Sequence, residues 1–325
     1  MKLPRRKFLH LAVGAAALPA VSRIARADTY PSRPVRIIVG FGAGGSPDIL
    51  ARLTAQWLSE RLGQQFIIEN RPGGGTNLAA EAVVRAAPDG YTLLTVSSAN
   101  AINATLYDNL SYNFMRDIAP VAGTVRVPQV VVVNPSLPVK TIPELIAFAR
   151  ANPGTINIAS SGTGNLSHLS GELFKMMTGI NMVPVPYRSS PAAQTDLLNG
   201  RVQVMFDTIP TLIEHIKAGT LRALAVTTTT KSDALPDLPI MGEFVRGYEV
   251  SGVGGIGAPK NTPVEIISKL NIEINSSLTD PKLKARLADL GATPLPGSPA
   301  DFGKLVAEDI EKWAKVIKFA NIKPE

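Results

Sequence analysis

The residues with the clearest chemical potential fall in 35–48, which reads Val-Arg-Ile-Ile-Val-Gly-Phe-Gly-Ala-Gly-Gly-Ser-Pro-Asp. Val35, Ile37, Ile38 and Val39 predict a strand, residues 40–45 a loop with little side chain, and Pro47 the first turn of an amphipathic helix. The N–H groups of such a loop and helix start favour a negatively charged oxygen, which makes Phe41, Ala43, Gly44, Gly45 and Ser46 candidate ligand residues. Asp48, in the same first turn, is expected to accept a hydrogen bond from a hydroxyl or ammonium group on a small ligand. A second loop repeats the design. Ser160, Ser161, Gly162, Thr163, Gly164 and Asn165 follow a predicted strand at 156–159 and precede a predicted helix at 166–177. The chain therefore carries two anion cradles about 120 residues apart, as expected of two lobes closing on one ligand.

Competing chemistry is limited. Gly40, Gly42 and Gly45 match G-x-G-x-x-G after a strand, and Glu69 stands about where a dinucleotide fold places its ribose acid. An exported nucleotide-dependent oxidoreductase is thus the alternative function. Against it, Gly252, Gly254 and Gly257 fit the same pattern just before Pro259, a chance match in a chain with 27 glycines. Asp48 would also repel a pyrophosphate. Neither loop has the G-K-[ST] ending of a phosphate-binding P-loop. Downstream of the N-terminal segment the chain holds His168 and His215, neither in metal-ligand spacing, and there is no G-x-S-x-G elbow. No base stands beside Ser160 or Ser161 in sequence, and Asp48 and Asp207 form an acid–base pair only if folding brings them together. His168, one turn into the second helix, reaches either a ligand or its own helix start, and the structural role is the expected one. The reading is binding without turnover, with no catalytic residue, metal or cofactor.

The positioning elements follow from periodicity. A helix at 46–62, a strand at 66–68, a glycine-rich turn at 70–77, a helix at 78–86 and a strand at 91–96 succeed one another. The last strand ends in Ser97, Ser98, Ala99 and Asn100, read as a polar loop on the wall where strand ends meet a ligand. Val130 to Val133 predict a buried strand, and Thr141 with Glu144 a capping box for the helix ending at Arg150. Further strands at 182–187, 202–206 and 221–226 alternate with helices at 192–198 and 211–218. Asp207 closes one of these strands, as a cleft residue or as a turn-initiating Asp before Pro210. Residues 251–257 predict a strand returning to the first lobe, and three leucine- and isoleucine-striped helices complete the chain.

The first 27 residues read as an export signal. Lys2, Arg5, Arg6 and Lys7 precede a largely apolar run over 8–20, and Ala25-Arg26-Ala27 offers a cleavage site before Asp28. Arg5-Arg6-Lys7-Phe8-Leu9 resembles a twin-arginine signal, with Pro4 where Ser or Thr is usual. The apolar run is shorter than the ~20 residues that a spanning helix needs. Six of the 33 basic residues lie in this segment, so 27 remain against 26 acidic ones, a net charge of +1. The high isoelectric point is no sign of a nucleic-acid partner. Without cysteine there is neither a disulfide framework nor a lipid-attachment thiol.

Several separated motifs, in order, resemble the Bug-type receptors of tripartite tricarboxylate transporters. They are residues 41–48, Glu69-Asn70-Arg71-Pro72-Gly73-Gly74-Gly75, Pro88-Asp89-Gly90-Tyr91-Thr92-Leu93-Leu94, Ser160-Ser161-Gly162 with Gly171-Glu172-Leu173-Phe174, and Pro186-Tyr187-Arg188. The resemblance spans essentially the whole chain after the signal. It implies a type II periplasmic binding-protein fold, α/β, with a first lobe of 28–127 and 250–325, a second of 128–249, a hinge of two crossing strands and a cleft between the lobes. It further implies a monomeric periplasmic receptor that delivers a small organic carboxylate to membrane permease subunits, or senses it. By the same resemblance residues 41–48 hold one carboxylate, residues 160–165 close over it, and Ser97, Ser98 and Asn100 form a third contact loop, where Ala99 and Asn100 depart from the family's frequent Ser/Thr-His. Val253-Gly254 stand where many members carry a Trp.

Overall fold

A computed structural model describes residues 30–44 and 46–324; the export segment expected over 1–27 and Gly45 lie outside the described residues. Strands Val35–Val39 (β1), Phe66–Asn70 (β2) and Thr92–Ser97 (β3) form a parallel set in the order β2-β1-β3. Helices Ser46–Leu62 (α1), Asn77–Val84 (α2) and Ser98–Leu106 (α3) follow them, so strand ends and helix starts gather on one edge. The expected loop after β3 is not a loop. Ser97 caps α3 directly, with Asn100 Oδ1 accepting from the Ser97 N–H at 2.8 Å. Serine and asparagine suit loops and helix caps alike, and composition does not separate the two.

After the short helix Phe114–Asp117 (α4), the apolar run at 130–133 proves to be the end of a 16-residue strand, Ile118–Val133 (β4). Pro120, Gly123 and Pro128 mask its first part in the sequence, and the register shifts fall beside Pro120 and Gly123, as expected of strand breakers tolerated at irregularities. Helix Ile142–Ala151 (α5) starts at the expected cap, where Thr141 Oγ1 accepts from the Glu144 N–H. The second half continues with strands Asn157–Ser160 (β5), Val183–Pro186 (β6), Val204–Thr208 (β7) and Arg222–Val226 (β8), interleaved with helices Leu166–Thr178 (α6), Ser190–Leu198 (α7) and Ile209–Lys217 (α8). The chain then returns as Ser251–Pro259 (β9), followed by helices Val264–Ser277 (α9) and Pro281–Asp289 (α10), the two-residue strand Thr293–Pro294 (β10) and helix Pro299–Ala320 (α11).

One strand joins the halves. The strand order is β2-β1-β3-β9-β4-β7-β5-β6, with β8 and β10 also on β4. Residues 118–128 of β4 pair antiparallel with β9, and residues 129–133 pair with β7 and β8. The crossing is tied at Thr227, whose N–H donates to Gln129 O at 3.0 Å and whose carbonyl accepts from the Val250 N–H at 2.9 Å. This is a mixed α/β arrangement of two halves, as the resemblance implies. Helix α11 runs over both halves. Its Phe302 and Val306 pack with Ile38 and Leu94, while Trp313, Val316 and Ile317 pack with Val131, Phe174 and Val204.

Candidate ligand-binding site

A cavity of about 420 Å³ opens between the halves where the strand ends meet. Phe41, Ser46, Ser97 and Ser98 line it from the first half, and Ser161, Gly164, Asn165 and Asp207 from the second. Eight predicted residues thus converge from four separate stretches. The walls between them are largely apolar, from Leu50, Ile102, Val125, Val127, Val253 and Ile256. Among the described residues that line it, none is Lys, Arg or His, so an anion there has amides and hydroxyls as partners.

The first loop is held from behind. Gly40 packs so closely on the glycine turn that an added Cβ would lie 2.7 Å from Thr76 Cβ. Asp48 does not line the cavity. Its side chain is 1 % exposed and accepts from the Gly44 N–H at 2.9 Å, from Arg52 Nε and Nη2 at 2.9 and 3.0 Å, and from Asn70 Nδ2 at 2.8 Å. The Arg52 hydrogen bonds, with those from Gly44 and Asn70, overcome burial and pull its carboxyl from 3.8 to about 2. Its acceptor capacity is spent on the loop, which corrects the expectation that Asp48 receives a ligand hydroxyl or ammonium. Ala43 and Gly44 are loop positions outside the lining, and Gly44 needs its positive φ of 81° for the turn.

The second loop is held by neutral groups. Asn165 Oδ1 accepts from the His168 N–H at 3.0 Å, capping α6, and its Nδ2 donates to Ser161 Oγ at 2.9 Å. His168 Nδ1 accepts from the Gly164 N–H at 3.0 Å, so the ring ties the loop to the helix. The expected structural role of His168 is the one its geometry supports. Ser160, Gly162 and Thr163 lie outside the cavity lining; Ser160 is buried and Thr163 faces a different cavity.

Ser98 Oγ accepts from the Val253 N–H at 2.9 Å and so binds the β3 end to β9. Asn100 is buried as a cap and reaches Thr76 Oγ1 at 3.3 Å, away from the cavity. Asp207 accepts from Ser190 Oγ and from the Thr208 N–H at 2.8 Å; burial pushes its carboxyl above the usual range against these bonds. It is the one ionisable side chain among the described lining residues. Sequence reasoning missed Thr54, Thr95 and Gln129. Thr95 lines the cavity, but its Oγ1 is itself buried, has no hydrogen-bond partner and presents no accessible surface to the cavity. Glu69, the would-be ribose acid, is paired with Arg36 at 3.2 Å and Arg71 at 2.6 Å and does not line the cavity.

Comparison with known proteins bears on this geometry. A family model described as tripartite tricarboxylate transporter family receptor matches residues 50–322. Protein BugT of Bordetella pertussis (strain Tohama I) is 38% identical over 297 residues, covering 90% of this chain and 90% of its own. Among solved structures, R. palustris Rpa4515 with adipate superposes with a TM-score of 0.78 at 39% identity, covering 91% of this chain and 100% of that one. MatC (Rpa3494) from Rhodopseudomonas palustris with bound malate superposes with a TM-score of 0.73 at 30% identity, covering 89% and 100%.

Proposed function

Because the chain belongs to the tripartite tricarboxylate transporter receptor family, we propose that it is a periplasmic receptor that captures a small organic carboxylate between two lobes and delivers it to the permease subunits. The observation that carries the reading is the convergence of two glycine- and hydroxyl-rich loops, one from each half, on one cavity without a cationic side chain among its described lining residues. Amides and hydroxyls at the loops take the carboxylate, and the walls take the rest of the ligand. Those walls are apolar, so the favoured ligand carries its carboxylate on an apolar body, as the adipate held by Rpa4515 does, and a triply charged acid is disfavoured.

In this reading the lobes are residues 28–127 with 250–325 and residues 128–249, working as a monomer. Ligand contacts come from Phe41, Ser46, Ser97, Ser98, Ser161, Gly164, Asn165 and Asp207. Contacts made from both lobes at once favour the closed form, which is what a permease senses. The protein binds without turnover, and residues 1–27 direct it to the periplasm by a twin-arginine-like signal and are removed.

A thermal-shift screen of the protein beginning at Asp28 tests this. The panel is mono-, di- and tricarboxylates, aromatic acids, amino acids and NAD. A ligand at 100 times its dissociation constant adds about 2.7 kcal/mol to the folded state, which raises the midpoint by several degrees. A shift with carboxylates of apolar body is the expected result. A shift with NAD alone overturns the receptor reading, and a shift confined to tricarboxylates overturns the ligand class.

A further inference from the structure

We infer that His168 is a positioning residue of the second ligand loop, and that only its neutral imidazole holds Gly164 in place at the cleft. An N–H that donates to Nδ1 requires that nitrogen to be bare, so the ring carries its proton on Nε2. Gly164 is where the loop meets the other half. It lines the cavity, has φ +71°, and packs so closely on α3 that an added Cβ would lie 2.6 Å from Leu106 Cδ2. The neighbouring Asn165 side chain is already committed to Ser161 and to the His168 N–H. A proton on Nδ1 sets one N–H against another and releases Gly164.

The surroundings of the ring set how readily that happens. His168 Nε2 faces Glu172 Oε1 at 3.8 Å, and Lys175 Nζ sits 2.8 Å from the same oxygen. Lys323, from the segment after α11, lines the same side cavity with His168, Glu172 and Lys175. Burial lowers the His168 pKa, Lys175 lowers it further and Glu172 opposes them. The sign follows from a depressed value. The neutral tie is complete above the ordinary imidazole range near 6.5 and is lost as pH falls through the lowered value. Acid therefore loosens the second loop, whereas the first, held by ionised Asp48, stays in place.

The consequence for binding rests on the carboxylate-receptor reading; the tie itself does not. Two measurements separate them. Nitrogen NMR of the ligand-free protein should show His168 Nδ1 unprotonated at pH 8 and the Gly164 amide shifting in step with the ring as it titrates. An amide that does not follow the ring overturns the inference, whatever the ligand. Adipate binding is then measured by calorimetry from pH 8 to pH 5 for the wild type, His168→Asn and His168→Ala. Asn places Oδ1 near Nδ1 and does not titrate. The wild-type affinity should fall relative to that of His168→Asn by up to about tenfold per pH unit, the limit for one linked proton. His168→Asn should also recover much of the affinity lost in His168→Ala; adipate's own titration cancels in the ratio. Identical pH profiles for the wild type and His168→Asn overturn the inference, while no binding of any carboxylate at pH 8, with the amide still following the ring, tells against the receptor reading alone.

Discussion

The two loops that meet at the cleft share a plan but are fixed by opposite means. The loop at 40–48 is anchored by a charge, the Asp48 carboxylate, which gathers Gly44, Arg52 and Asn70 behind the ligand surface. The loop at 160–165 is anchored by uncharged groups, the Asn165 amide and the His168 ring. A buried carboxylate with four donors is preorganised and indifferent to pH until strong acid. Neutral hydrogen bonds are individually weaker and, at histidine, conditional on a proton. In the proposed function the first loop serves initial capture on a rigid surface and the second a closure that conditions can loosen.

The comparison breaks first if Asp48 is dispensable. Asp48→Ala leaves the Gly44 N–H without its acceptor, takes two hydrogen bonds from Arg52 and leaves Asn70 Nδ2 only Phe41 O. It is expected to lower stability by about 2–4 kcal/mol, read by urea denaturation, with carboxylate binding lost. For the wild type, the depressed Asp48 carboxyl contributes stability that is full above about pH 4 and lost as pH falls towards 2. A denaturation midpoint that already declines between pH 6 and 4 in wild type but not in Asp48→Asn contradicts this window. Gly40→Ala comes next. Its Cβ would press on Thr76 Cβ and Cα, backbone that has little room because Thr76 itself holds φ 82°, and the expected loss is about 1–3 kcal/mol. Gly164→Ala meets the end of the Leu106 side chain and also puts an alanine at φ +71°, so it should cost about 1 kcal/mol or more of stability, with calorimetry showing a larger effect on affinity.

Much of this was legible before any coordinates. The first strand and loop could be read because β-branched residues, glycines and a helix-opening proline fall in that order. The role of Asp48 was misread although its signal was present, since Arg52 stands four residues on, the spacing of an intrahelical ion pair. The first part of β4 was missed because Pro120, Gly123 and Pro128 argue against a strand, and it is pairing with the glycine-rich β9 that overrides them. Thr95 and Gln129 carry no local mark at all. They reach the cavity only because β3 and β4 are neighbours of β9, a fact of topology and not of pattern.

The second loop offers a middle-sized test. Asn165→Ala removes the α6 cap and the bond to Ser161, and should cost about 1 kcal/mol of stability. If the loop closes on the ligand, affinity falls by more than that stability loss implies; equal changes in both would make the asparagine a helix cap and no more.

Thr95→Val is the subtlest change and the sharpest for the first half. The hydroxyl lies buried at the cavity without a partner, so replacing it with a methyl group of similar size removes no internal hydrogen bond. Stability should stay within about 0.5 kcal/mol of wild type, or rise, because an unsatisfied buried hydroxyl is itself unfavourable. Affinity should also stay within about twofold of wild type, because the oxygen has no accessible surface to offer a ligand and the cavity meets the rest of the side chain, whose shape valine keeps. A variant that is as stable as wild type but binds several-fold more weakly would mean that the ligand-bound form turns the Thr95 hydroxyl into the cavity, deep in the first half against β3.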